Sequence, residues 1–146
     1  MGTISPGDGQ DLIDRYLGAW QRGDVDAAMA LFNDDAEYRA DPFEPPLVAA
    51  NAIRAFLNDV AATQAHIDAE AERVWVSGNT ILCSWHGAVT TRATGDRTRV
   101  RGFMTMEVGD DGLITRFKGW SLSRSVGIDS TFKPDHDAPA EVTRGR

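Results

Sequence analysis

In the N-terminal third of the chain, apolar residues recur every three or four positions. In "DLIDRYLGAWQRG", residues 11–23, Leu12, Ile13, Tyr16, Leu17 and Trp20 share one helical face, and Gly23 is a natural terminator. Asp24 is placed to cap a second helix, "VDAAMALF", with Val25, Ala28, Met29 and Phe32 on its buried side. "DDAEYRA" predicts a short strand that Pro42 stops. "ANAIRAFLNDVAA" predicts a third helix with Ile53, Phe56, Leu57 and Val60 inward.

From residue 66 the period drops to two. Strands are expected over roughly 66–76, 80–92, 98–108 and 113–124, joined by "SGN", "TGD" and "GDDG" turns. Helices followed by an antiparallel meander give an α+β architecture, with the sheet curled round the three helices. "ILCSWHGAV" is apolar or small on both faces. Ile81, Cys83, Trp85 and Val89 lie on one; Leu82, Ser84, His86 and Ala88 lie on the other. Such a sheet needs cover twice, from helices on its inner face and from a partner subunit on its outer face. The expected arrangement turns Ser84 and His86 towards the helices and leaves Ile81 and Trp85 for a homodimer interface. The domain is expected over residues 1–126. The stretch 127–146, poor in apolar residues and holding two prolines, is expected to be a mobile tail.

The chain has 146 residues, 42% hydrophobic and 25% charged, which suits one soluble domain with one core. A net charge of −7 argues against nucleic acid as a partner. No apolar run is long enough to span a bilayer, the N-terminus lacks signal-peptide features, and the single Cys83 fits a reducing cytoplasm. His66, His86 and His136 lack metal-ligand spacing, and no phosphate-binding glycine motif occurs, so neither a metal nor a nucleotide cofactor is expected. Arg97, Arg99 and Arg101 alternate along one strand and so share a face, expected to be solvated or interfacial.

Asp41 stands out because "DPFEPP" fixes it at the end of a strand beside apolar residues. Pro42 restricts where it can point, and Phe43 could strip water from it and strengthen it as a base. The alternative is that Asp-Pro simply opens a turn. His86, if it faces inward, could orient Asp41 or shuttle its proton, or could be an ordinary satisfied interior histidine. Trp20, Phe56, Met104 and Trp120 could line an apolar pocket with Phe43 and Ser84, though several could equally be plain core.

"RYLGAWQRGDVDAAMALFNDDAEYRADPF" and "EVGDDGLITRFKGW" resemble the nuclear transport factor 2 superfamily, over roughly residues 10–124. That group includes SnoaL-like polyketide cyclases, limonene epoxide hydrolases and ketosteroid isomerases. The resemblance implies a cone-shaped fold around an apolar cavity. The part resembling ketosteroid isomerase implies Asp41 as proton-abstracting base, Tyr16 as oxyanion donor, and Phe56 and Trp120 as pocket walls. A second oxyanion donor, an acid in those enzymes, falls at Met104, which cannot donate a hydrogen bond. The Arg-x-Asp of the hydrolases reads Arg99-Val100-Arg101, and the acid that often closes the last strand falls near Leu122. The expected function is cofactor-free proton transfer, as an isomerase or cyclase, on a hydrophobic carbonyl compound. The alternative is a non-catalytic binding module for a lipid-like or polyketide-like ligand.

Overall fold

Three helices lie against one curved, six-stranded sheet in the computed structural model, which describes residues 3–134. Helix α1 spans Pro6–Arg22 and begins five residues before the expected start. Ser5 Oγ accepts the Asp8 amide at 3.0 Å, and Pro6 sits where its missing N–H costs nothing. Gly23, in the left-handed region at φ 64°, ends the helix. Asp24 accepts the Ala27 amide and caps the short α2, Val25–Met29. Strand β1 (Phe32–Arg39) therefore starts at Phe32, which packs from the sheet instead of from a longer second helix. A two-residue strand β2 (Leu47–Val48), not foreseen, pairs antiparallel with β1 and leads into α3 (Ala50–Thr63).

The meander follows as β3 (Gln64–Ser77), β4 (Thr80–Thr91), β5 (Asp96–Val108) and β6 (Ile114–Ile128). Spatial order is β2-β1-β6-β5-β4-β3, so the first long strand pairs with the last. That pairing is parallel, with Phe32 beside Ile114 and Tyr38 beside Phe117, and it makes the sheet mixed. The sheet is open: β2 and β3 are its edges. The α+β wrap around the helices holds as expected.

The face assignment of β4 is reversed. Ile81, Cys83, Trp85 and Val89 are buried and face the helices, whereas Leu82, Ser84, His86 and Ala88 are only half-buried on the outer face. The period of two separates the sets correctly but does not say which points in. Two neighbours decide it. Trp85 lies opposite Gly102 on β5, and a Cβ there would come within 2.5 Å of the indole, so only glycine leaves room for the ring. His86 lies opposite Glu70 on β3, where an inward acid would be stranded.

The core joins the α1 stripe (Leu12, Ile13, Tyr16, Leu17) to Ile53 of α3 and to Tyr38, Met104, Met106 and Phe117 of the sheet. Residues 127 and 128 complete β6, two residues past the expected domain boundary. Asp129 then returns its amide to Gly95 O at 2.8 Å, and its carboxylate accepts His66 Nδ1–H at 2.9 Å and the Thr90 hydroxyl at 2.7 Å. These hydrogen bonds, with two from Thr131, hold the Asp129 carboxyl well below the usual carboxylate range. Positions 135–146 of the expected tail, His136 among them, lie outside the described residues. No described helix is long and apolar enough to cross a membrane.

Candidate functional site

Helix α1 aims Tyr16 and Trp20 from its buried stripe at the inner face of the sheet. By alternation along β1, Tyr38 points at the same place, two residues after the buried Ala36. The two phenolic oxygens meet at 2.7 Å in a buried hydrogen bond. Tyr38 is stacked on Phe117 at 4.4 Å with only 6° between the planes, and the Phe56 ring of α3 lies 5.6 Å from it, tilted by 47°. Tyr16 contacts Phe117 at 5.2 Å. Both rings are thus held by aromatic neighbours, and their hydroxyls are fixed in space.

A small void lies on each side of this pair. One, of about 30 Å³, is lined by Tyr16, Trp20, Tyr38, Leu57 and Val60. The other, also about 30 Å³, is lined by the same three aromatics with Trp85, Met104 and Trp120. Each holds about one water-sized group. Trp20 belongs to both walls. Its Nε1–H donates to Gln64 Oε1 at 3.0 Å, and its ring stands edge-on to Trp85 at 5.3 Å.

The expected site residues divide between inside and outside. Tyr16, Trp20 and Met104 line the voids, and Trp120, 40% exposed, stands at the rim of the second. Phe56 touches the site through Tyr38. Asp41 lines neither void, although its neighbour Ala40 lines the second. Its carboxylate accepts the Phe43 amide at 2.9 Å and its carbonyl accepts the Glu44 amide, the pattern of an Asx turn. Phe43 is 92% exposed and so does not dry the carboxylate. His86, expected inside, is outside with Ser84. Its Nδ1 lies 3.1 Å from Glu72 Oε2 and its Nε2 lies 3.7 Å from Glu70 Oε2.

Two residues lining the candidate site went unrecognised in the sequence. Tyr38 carries the second hydroxyl, but its partnership depends on the docking of α1 on β1, which no local spacing reports. Trp85 lines the second void, and the available signal was a glycine on the next strand that only the register places beside it.

Among the described residues no carboxylate, histidine or lysine lines either void. Cys83 is buried nearby on the inner face, and burial, reinforced by Asp14 and Glu72, pushes its thiol up to about 12, so it stays protonated and unreactive. Among the described residues no three His, Cys, Asp or Glu side chains gather as a metal site. The chemistry available inside is hydrogen bonding by two coupled phenols within an apolar, aromatic wall. Such donors suit a carbonyl oxygen or an oxyanion.

Comparison with solved structures places this geometry among related folds. The chain superposes on SalBIII, an epoxide hydrolase/cyclase-like enzyme studied for pyran ring formation in the polyether salinomycin, with a TM-score of 0.72 and 14% identity over 84% of this chain and 96% of that one. An LEH-like epoxide hydrolase of Mycobacterium tuberculosis gives 0.68 and 18% over 80% and 84%. A computationally designed 17-OHP binder gives 0.69 and 20% over 80% and 98%. At these identities the likeness is one of fold. A search of curated proteins finds no match. Residues 13–117, from the α1 stripe to the phenylalanine stacked on Tyr38, match the SnoaL-like domain, and the chain belongs to that family.

Proposed function

We propose that this protein binds a small apolar molecule carrying one hydrogen-bond-accepting oxygen. The oxygen meets the Tyr16–Tyr38 hydroxyls, and the body of the molecule lies against Trp20, Trp85 and Met104. The observation that carries this reading is the buried pair of phenols at 2.7 Å, bordering two apolar voids in whose walls the described residues put no carboxylate, histidine, lysine or arginine. Ligand pockets for drug-sized molecules span about 300–1,000 Å³. A ligand of that size therefore needs the wall shared by the two voids to open, and Trp20, held there by Gln64, is the side chain that would have to swing. The designed 17-OHP binder is a case of this fold holding a small molecule.

A second reading, proton transfer on a hydrophobic carbonyl compound, rests on the position of Asp41 directly after Ala40 of the second void. In that scheme the Asx turn opens, the Asp41 carboxylate removes a proton next to the carbonyl, and the tyrosine pair holds the enolate oxygen. Neither reading calls on a cofactor. Binding is preferred because the acid is engaged by its own turn and, among the described residues, no carboxylate or histidine lines the voids.

Titration with 2-naphthol and a panel of cyclic enones, followed by tryptophan fluorescence, tests both readings. Binding reading expected: saturable association, weakened about tenfold by Tyr16→Phe, unchanged by Asp41→Asn, and no turnover. Turnover that vanishes in Asp41→Asn would establish the second reading instead. Absence of any saturable association would remove both.

The outer sheet face supports the proposed homodimer with a different set of residues from those expected. Trp75 and Phe103 lie 6.1 Å apart, and Phe103 pairs across strands with Trp120. An exposed aromatic patch of this kind fits an isologous contact. Phe103→Ser would convert a sedimenting dimer to monomer.

A further inference from the structure

The outer face also carries a ladder of charges with one rung out of pattern. On β5, Arg97 Nη2 meets Asp68 of β3 at 2.7 Å, and Arg101 Nη1 meets Glu72 of β3 at 2.6 Å. Arg99 stands between them on the same face. Its β4 neighbour is Ala88 and its β6 neighbour is Arg124. Among the described residues, neither Arg99 nor Arg124 has a carboxylate within ion-pairing distance.

Like charges directly opposed on adjacent strands destabilise a sheet. The chain has 22 acidic residues against 15 basic ones, so an acid on this rung would be in keeping with the whole. Instead the rung sets two exposed arginines opposite each other on adjacent strands. The next rung pairs Arg101 with Leu122, which is 74% exposed. A groove of about 330 Å³ runs along this part of the β5–β6 pair, lined by Arg99, Val100, Arg101, Leu122, Ser123 and Arg124. That volume is within the range of small-molecule sites. Local rules are broken most often where a site is built.

We propose that this groove binds a soluble anionic amphiphile. Its carboxylate or phosphate head lies between Arg99 and Arg124, and its apolar body runs along Leu122. A planar guanidinium offers paired N–H donors that match carboxylate or phosphate oxygens. An anion between two opposed cations turns their repulsion into two attractions. None of the groove residues lines the interior voids, so this site is independent of the tyrosine pair.

Isothermal titration calorimetry of the full chain at low ionic strength, with sub-micellar decanoate and with inorganic phosphate, tests the proposal. Decanoate should bind once per chain and be displaced by phosphate. Arg99→Gln and Arg124→Gln should each weaken both anions about tenfold. Leu122→Ser should weaken decanoate alone, and Tyr16→Phe neither. Without anion, Arg124→Gln should slightly raise the melting temperature, which also shows that the variant folds. The proposal is overturned by the absence of saturable heat with either anion, or by equal binding in the arginine variants. Decanoate binding that depends on Tyr16 would overturn it by placing the ligand inside. Association only with phosphatidylglycerol vesicles, or loss of a dimer in the arginine variants without anion binding, would overturn it by assigning the pair to a membrane or to a second copy.

Discussion

Trp85 and His86 are consecutive on β4, yet one is packed beneath the helices beside Trp20 and the other stands among glutamates. Among the described residues the inner face of the sheet is aromatic and uncharged, and a pair of hydroxyls is hydrogen-bonded within it. The outer face is a lattice of arginines and acids with an aromatic patch at one end. Burial makes the inner interactions strong and unforgiving, because a displaced ring leaves a void. Exposure makes the outer interactions individually weak, because water and salt screen them. Binding at the inner voids, as proposed, would therefore depend on shape and two O–H groups. Binding at the outer groove, as proposed, would depend on how many charges converge.

The sharpest test of this contrast substitutes the two neighbours in turn. Trp85→Ala should destabilise the fold by about 3–5 kcal/mol in chemical denaturation, as expected for removing a buried large aromatic. A cost below about 1 kcal/mol would show that the indole is not part of the packed interior. Tyr16→Phe should cost about 1 kcal/mol of stability, the net worth of one hydrogen bond, and should also weaken ligand association about tenfold. Lost stability with unchanged association would mean that the pair is only structural.

Asp129→Asn probes the end of the sheet, where His66 and Thr90 converge on one carboxylate. The folded state holds that carboxyl below its ordinary range, so the wild-type advantage is present at neutral pH and above the ordinary carboxylate value. It is lost as pH falls through the lowered value. The melting temperature of Asp129→Asn should therefore lie below wild type at pH 7, and the gap should narrow in acid. A gap that widens on acidification would contradict the direction of the shift. The smallest effect belongs to His86→Ala, expected within about 0.5 kcal/mol of wild type because its glutamate partners are solvated. A large loss would bring the two faces closer in character than their burial implies.

The order of elements was legible in the sequence because each depends on local rules. The α1 stripe from Leu12 to Trp20, the Gly23 stop and the Asp24 cap are decided within a few residues. The same holds for the hairpin turns, where Gly78, Gly95 and Gly112 all adopt positive φ. What was not legible depends on register between distant segments. Alternation on β4 gave two correct sets of side chains, but inward or outward was decided by Gly102 and Glu70 on neighbouring strands. Asp41 showed the same limit: its neighbours in sequence suggested an apolar shelter, but Phe43 turns out to solvent and the acid serves its own turn. Tyr38 could be seen as a buried strand residue, but not as the partner of Tyr16.

The parallel seam between β1 and β6, with Phe32 beside Ile114, has a consequence for how the protein is made. Closing this seam joins segments separated by most of the chain, a slow kind of contact to form. During synthesis β1 must wait for nearly all the remaining strands to emerge. Phe117, the ring on which Tyr38 stacks, arrives with that last strand. A nascent chain halted before β6 would leave β1 as an unpaired edge, open to pairing with another chain, and would lack one wall of the hydroxyl site.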